Sequence, residues 1–126
     1  NYRKLLAKKY DNFFKKNDLI QPYNVSSRQL SSNHIYVVNI NFKKLKINRN
    51  EFMIKLRKYG IITQVHYIPL NYHPYFKKIK VILKSNSNAK KYYDNCLSIP
   101  LYYDLKFKEQ KFIVKTILNI LEKHRI

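Results

Sequence analysis

Apolar residues recur at helical spacing at both ends of the chain and gather into short blocks between them. This pattern predicts long outer helices around a few short strands. From Asn1 to Lys16, Tyr2, Leu5, Leu6, Tyr10, Phe13 and Phe14 alternate with lysines, as on an amphipathic helix. Gln21 to Ser27 is rich in turn formers and reads as a loose segment. His34 to Ile40 is a β-branched run suited to a buried strand. Asn48 or Asn50 can then cap a helix whose apolar stripe is Phe52, Met53, Leu56 and Tyr59. Gly60, the single glycine of the sequence, falls where that helix should stop. Ile62 to Tyr67 reads as a second strand, Pro69 and Pro74 bracket a loop, and a short helical piece is expected from Tyr75 to Ile79. A polar hinge, Ser85 to Asn88, caps a helix running to about Asn95, and Cys96 to Leu101 reads as a third strand. Lys106 to Lys123 closes the chain as a helix with Phe107, Phe112, Ile113, Ile117, Leu118 and Leu121 inward. The expected fold class is α/β (α+β): a short, mostly antiparallel sheet with helices packed on one face.

Composition supports a folded unit. At 126 residues, with 45% hydrophobic and 15% aromatic side chains, one domain with a real core is expected. No apolar run approaches the roughly 18 residues of a membrane span, so no membrane partner is expected. A single cysteine excludes an internal disulfide and fits a reducing cytoplasm. Cys96, set among Leu97, Ile99 and Leu101, reads as a small core residue rather than a nucleophile. The net charge of +19 favours polyanions, and weak non-specific nucleic-acid binding follows at low salt. The basic groups are nevertheless scattered over every helical segment, and lysine far outnumbers the arginine that commonly reads bases. The excess of Lys, Asn, Ile, Tyr and Phe matches A/T-rich codons and accounts for the charge without a polyanion.

Candidate chemistry concentrates in one place. From Ile61 to Tyr75 the chain carries no Lys, Arg, Asp or Glu, while holding His66, Tyr67, Tyr72, His73 and Tyr75. Uncharged polar tips at a strand end can orient a ligand at small desolvation cost, as a pocket wall does; residue type alone favours the alternative, an ordinary strand end whose His and Tyr are held by neighbouring backbone groups. Self-sufficient catalysis is not legible. One glycine forbids a glycine-rich phosphate loop, the four histidines lack further ligands at metal spacing, and the seven acidic residues form no evident pair.

Four segments carry a resemblance. Gln64-Val65-His66-Tyr67-Ile68-Pro69 with Pro74-Tyr75, Arg3 to Tyr10-Asp11, Ser32 to Val38, and Leu97-Ser98-Ile99-Pro100-Leu101-Tyr102 with Glu109-Gln110 occur in order over essentially the whole chain. Together they resemble motifs of the DegT/DnrJ/EryC1/StrS aminotransferases, sugar-nucleotide transaminases that use pyridoxal phosphate. The His-Tyr-rich loop is most similar to the subgroup that aminates UDP-linked 4-keto-6-deoxy-N-acetyl hexosamines on the way to pseudaminic acid. The resemblance implies that residues 1–126 are the C-terminal small domain of a fold-type I enzyme. A large domain outside the chain would hold the cofactor and the Schiff-base lysine. The absence of an initiator Met and the opening inside a helix fit such a fragment. No catalytic residue is expected within it.

On this resemblance the domain closes the pocket over a sugar nucleotide that receives an amino group from glutamate, for surface glycan synthesis, in a homodimer. His66 would hydrogen-bond the sugar, and Tyr67 would pack its ring on it. Gln64 shares the face of His66 by strand alternation. His34 and Tyr36 either line the cleft or satisfy core hydrogen bonds. His73 and Tyr75 would form the rim. Asn33 and Asn71 depart from the family pattern, where an aromatic and a second histidine are common, and either change would retune the pocket. His124 is expected to place a favourable charge at a helix C-terminus. The alternatives are a stand-alone basic module for nucleic acid or another polyanion, and an inactive remnant of the enzyme.

Overall fold

The opening helix shows how the apolar spacing is used. α1 (Tyr2–Phe14) buries Leu6, Ala7, Tyr10 and Phe14, a four-residue recurrence along one stripe. Leu5 and Phe13, expected inside, are 46% and 43% exposed because they fall to the sides of that stripe. In the computed structural model, residues 2–23, 31–78 and 87–126 are described. The hinge at Ser85–Asn86, part of the loose segment after Tyr23, and Ile79 lie outside them. Beyond α1, Asn17 Oδ1 accepts from the backbone N–H groups of Leu19 and Ile20 at 2.9 and 3.0 Å, turning the chain into the sheet.

Three antiparallel strands form the sheet, in the order β1 (Ile20–Pro22), β2 (Tyr36–Ile40), β3 (Cys96–Ile99). β1 corrects the expectation of a loose segment at Gln21-Pro22. It is an edge strand paired through Ile20↔Ile40 and Pro22↔Val38. Proline, which lacks an N–H, is tolerated at such an edge. In β2 and β3, Tyr36↔Ile99 and Val38↔Leu97 point into the core, while Val37↔Ser98 and Asn39↔Cys96 point to the other face. The predicted strand at Ile62 to Tyr67 is reduced to one bridge. Gln64 and Ser98 exchange backbone hydrogen bonds of 3.1 and 2.9 Å along the free edge of β3.

α2 (Arg49–Arg57) follows a short 3-10 turn at Phe42–Lys44 and starts from a full capping box. Asn48 Oδ1 accepts from Glu51 N, and the Glu51 carboxylate accepts from Asn48 N. Its far end is a Schellman closure: Ile61 N donates to Leu56 O at 3.1 Å and Gly60 N to Arg57 O at 2.9 Å. Gly60 takes φ +74°, and Ile61 and Leu56 meet in the core. Tyr59, predicted inside, is 58% exposed because the closure turns it outward.

A second 3-10 turn (Leu70–Tyr72) precedes the short α3 (Pro74–Lys78), and α4 (Ser87–Asn95) runs directly into β3. α5 (Phe107–Lys123) crosses α1 and α2 and buries Ile113, Val114, Ile117, Ile120 and Leu121. Phe107 and Phe112 stay partly exposed, contrary to the predicted stripe. The place is taken by Gln110, 1% exposed, whose Nε2 donates to Leu6 O at 2.7 Å and ties α5 to α1. His124 caps α5, its Nδ1 lying 2.9 Å from Ile120 O. No helix among the described residues is long and apolar enough to cross a membrane.

Two outcomes follow for stability. A Cβ at Gly60 meets nothing within 4 Å, so Gly60→Ala costs only the left-handed backbone strain. About 1–2 kcal/mol should be lost in urea unfolding, and less with Gly60→Asn. Tyr10 is fully buried, with its hydroxyl donating to Pro100 O at 3.0 Å. Burial first, and the neighbouring Tyr102 second, push its phenol well above the ordinary range. A raised acid favours the folded state while neutral, so this term is complete below the ordinary tyrosine value of about 10 and is lost above it. Unfolding followed against pH should show stability falling from about pH 10 upward, and Tyr10→Phe should flatten that fall.

Candidate functional site

The uncharged stretch forms a rim beside the sheet face opposite the core. Ile61 and Thr63 turn inward, Ile62 and Gln64 turn out, and His66 is half-buried. Because Gln64 bridges Ser98 in antiparallel register, Gln64, His66 and Ser98 share a face. The His66 Nε2 lies 2.6 Å from Ser98 Oγ. The His66 ring leans on Tyr92 of α4 at 6.1 Å between centroids, and Tyr92 meets Tyr23 edge-on at 4.8 Å. Beneath them sits Cys96, 1% exposed. Burial, the largest cause, raises its thiol, while the His66 backbone N–H and Arg49 oppose the shift. The raised thiol makes a poor nucleophile. Burial, then the Cys96 thiol, pushes the Tyr92 phenol up to about 12. α4 is held there by Arg49, whose guanidinium donates to Tyr93 O and stacks 4.7 Å from the Tyr93 ring.

The five residues singled out in the sequence do not form one cluster. His66 and Gln64 are brought to one face by the bridge. Tyr67 is 97% exposed and leads an apolar rim with Ile62, Ile68, Leu70 and Tyr75, each at least 40% exposed. His34 is exposed on the bend before β2, since the strand begins only at Tyr36. Tyr36 corrects the cleft-lining alternative. It is 1% exposed, on the face opposite Ser98, with its hydroxyl donating to Asp11 Oδ1 at 2.8 Å, so it serves the core. Asn33 is also buried and takes φ 51°, with its side-chain amide donating to Ser31 O. Asparagine is among the few residues that accept the left-handed region readily, which gives a backbone reason for Asn33 at this position. His73 and Tyr75 pack on Phe76 at 6.0 and 5.4 Å.

Sequence reasoning missed Ser98 and Tyr92. The available signal was a serine in a strand otherwise apolar, which needs a hydrogen-bond partner once buried. Next to this cluster, an open groove of about 1220 Å³ runs over the outer face of β1 and β2, touching Tyr23 and Tyr92. It contains none of the five predicted residues. Its carboxylates are already engaged: Asp18 by Lys44 and Arg125, Glu51 in the α2 cap, Asp94 by Lys90. The groove's carboxylates are thus committed and its other charged lining is lysine (Lys43, Lys46 and Lys91), so the neutral His66 face is the better candidate for orienting an uncharged group. Among the described residues no group of three or more His, Cys, Asp or Glu is placed to hold a metal ion.

The sequence of this chain matches the DegT/DnrJ/EryC1/StrS aminotransferase family over residues 1–118. It is 32% identical over 121 residues to a UDP-4-amino-4,6-dideoxy-N-acetyl-beta-L-altrosamine transaminase of Campylobacter jejuni, covering 96% of this chain and 32% of the relative. It is 32% identical over 91 residues to the spore coat polysaccharide biosynthesis protein SpsC of Bacillus subtilis, covering 71% of this chain and 23% of the relative. The solved structure of Helicobacter pylori PseC, an aminotransferase involved in pseudoaminic acid biosynthesis, superposes with a TM-score of 0.80 at 24% identity, over 96% of this chain and 32% of that one. That likeness establishes the fold, and the chain spans about a third or less of the length of these proteins. With the family matched over nearly its whole length, the chain belongs to the DegT/DnrJ/EryC1/StrS aminotransferase family.

Proposed function

We propose that this chain is the small C-terminal domain of a sugar-nucleotide aminotransferase, and that it closes the substrate pocket. The observation that carries the reading is the neutral face around His66. The imidazole is anchored on the sheet through Ser98, and beside it an exposed apolar rim, Tyr67, Leu70 and Tyr75, is left for another part of the enzyme. An exposed apolar patch rimmed by polar groups is characteristic of a surface that meets a partner or ligand.

Family membership implies pyridoxal phosphate, which supplies the electron sink for amino transfer when bound. The residues of this chain do not fit that group on their own. No lysine among the described residues is buried, whereas a Schiff-base lysine is activated by desolvation or a neighbouring cation. A single glycine leaves no glycine-rich cradle for the phosphate. We assign the cofactor to a large domain outside the chain. Within the domain, His66 orients a sugar oxygen, Tyr67 offers its ring to the sugar face, and Gln64 supports from the same side as His66. The proposed reaction is amino transfer from glutamate to a 4-keto-6-deoxy sugar nucleotide for surface glycan synthesis, carried out by a homodimer. His34 serves at most as a rim residue.

A second reading rests on the net charge of +19, which favours a module for nucleic acid or another polyanion. The lysines are spread over several helices and turns rather than gathered in one patch, which disfavours a built polyanion site. Binding on that basis should collapse steeply as salt rises and show no sequence preference. In the full-length enzyme, His66→Ala should lower kcat/KM for the sugar substrate by about tenfold, the worth of one hydrogen bond of about 1.4 kcal/mol, while cofactor absorbance is retained. Loss of the cofactor band instead would place His66 in the wrong site.

A further inference from the structure

We infer that Ser98 locks the His66 imidazole in one neutral tautomer, with its proton on Nδ1, so that His66 meets a ligand as a hydrogen-bond donor to an oxygen. This deepens the reading above and rests on His66 facing the substrate. The argument begins with the hydroxyl. Ser98 is 7% exposed in the middle of β3, and its backbone N–H and C=O both pair with Gln64. Among the described residues, the partner of its side chain is His66 Nε2, at 2.6 Å.

A serine hydroxyl carries one proton and two lone pairs, and a buried proton without an acceptor is the costlier omission. Were Nε2 protonated and donating, the Ser98 proton would have no acceptor among the described residues. With Ser98 donating to Nε2, that demand is met, and the proton of the neutral ring must then sit on Nδ1. Nδ1 has no partner among the described residues, so its N–H is left for a ligand. The ring is kept in place from two directions. Tyr92 lies against it at a tilt of 38°, and the Gln64–Ser98 bridge fixes the chain two residues earlier.

A donor held in this way suits an oxygen acceptor: a hydroxyl, carbonyl, carboxylate or phosphoryl oxygen. It does not suit an ammonium or an amide N–H. Ser98 is therefore a positioning residue that acts through His66. Free histidine in water favours the Nε2–H form, so the lock is a measurable departure.

The test is nitrogen NMR of the imidazoles in the labelled 126-residue chain, at a pH about two units above the ordinary imidazole range. His66 should show a pyrrole-like Nδ1 and a pyridine-like Nε2. Ser98→Ala should return the ring towards Nε2–H, and Ser98→Thr, which keeps the hydroxyl, should restore the lock. Circular dichroism verifies that each variant folds. In the full-length enzyme Ser98→Ala should raise KM for the sugar substrate about tenfold with kcat nearly unchanged. A protonated Nε2 in the unaltered chain, or a ring that ignores Ser98→Ala, overturns the inference. A ring that responds while KM stays constant upholds the lock and removes His66 from the substrate wall instead.

Discussion

Everything in this domain depends on a four-residue strand that is buried on both faces. β3 places Leu97 and Ile99 against Tyr36 and Val38 in the core, and Cys96 and Ser98 under α4 and the His66 segment. Core positions of this kind contribute about 1.5–3 kcal/mol per large apolar side chain, so the register of β3 is strongly specified. A slip of one residue would put Ser98 into the core and leave Leu97 facing His66. The sheet and the candidate site are thus one constraint seen from two sides. The grip of Arg49 on Tyr93 O reinforces this, because α4 passes into β3 without a linker.

The consequence is a steep change in order over two residues. His66 is anchored to a sheet strand by a side-chain bond and by a backbone bridge two positions earlier. Tyr67 follows it with its ring almost wholly in water. Precision in positioning a ligand comes from groups on regular elements, and adaptability from groups beyond them. If the proposed role holds, placing the two side by side would give one contact of fixed direction and one able to settle on whatever surface completes the pocket.

Most of the helices were legible because their ends are written in local chemistry. Asn48 and Glu51 declare the start of α2, and Gly60 its end, since each satisfies or terminates backbone groups within a few residues. Strands were less legible because pairing is decided far away in sequence. Pro22 made β1 look like a loop, although at an edge its missing N–H is harmless. Ile62 to Tyr67 had strand composition, yet β3 pairs with it only at Gln64. Polar identity misled in the same manner. Tyr36 and Ser98 both carry a hydroxyl, and alternation alone sends Tyr36 to Asp11 in the interior and Ser98 to His66 on the other face. Gln110 was read as part of a motif, and its physical reason emerged only with α1 beside it, where its amide bonds Leu6 O.

The charge of the chain now has a location as well as a size. Lysines crowd the outer helix faces, and Asp18, Glu51, Asp94 and Glu122 are each taken by a cation or a helix cap. What carries no charged side chain of its own is the Ile61–Tyr75 segment, with Lys90 reaching to 6.0 Å from the Tyr72 ring. Exposed lysines cost little and, screened beyond about 10 Å at ordinary salt, act weakly on a face they do not line. A sugar nucleotide nonetheless carries phosphates, so a broadly positive exterior would raise its encounter rate without specifying its pose. Pose would come instead from a donor of fixed direction on a neutral wall, where a hydrogen bond is not outcompeted by neighbouring ammonium groups. On the proposed reading, the lysine-rich surface and the uncharged rim segment are complementary: the first would attract any polyanion, and the second would select among them by where an oxygen can meet His66.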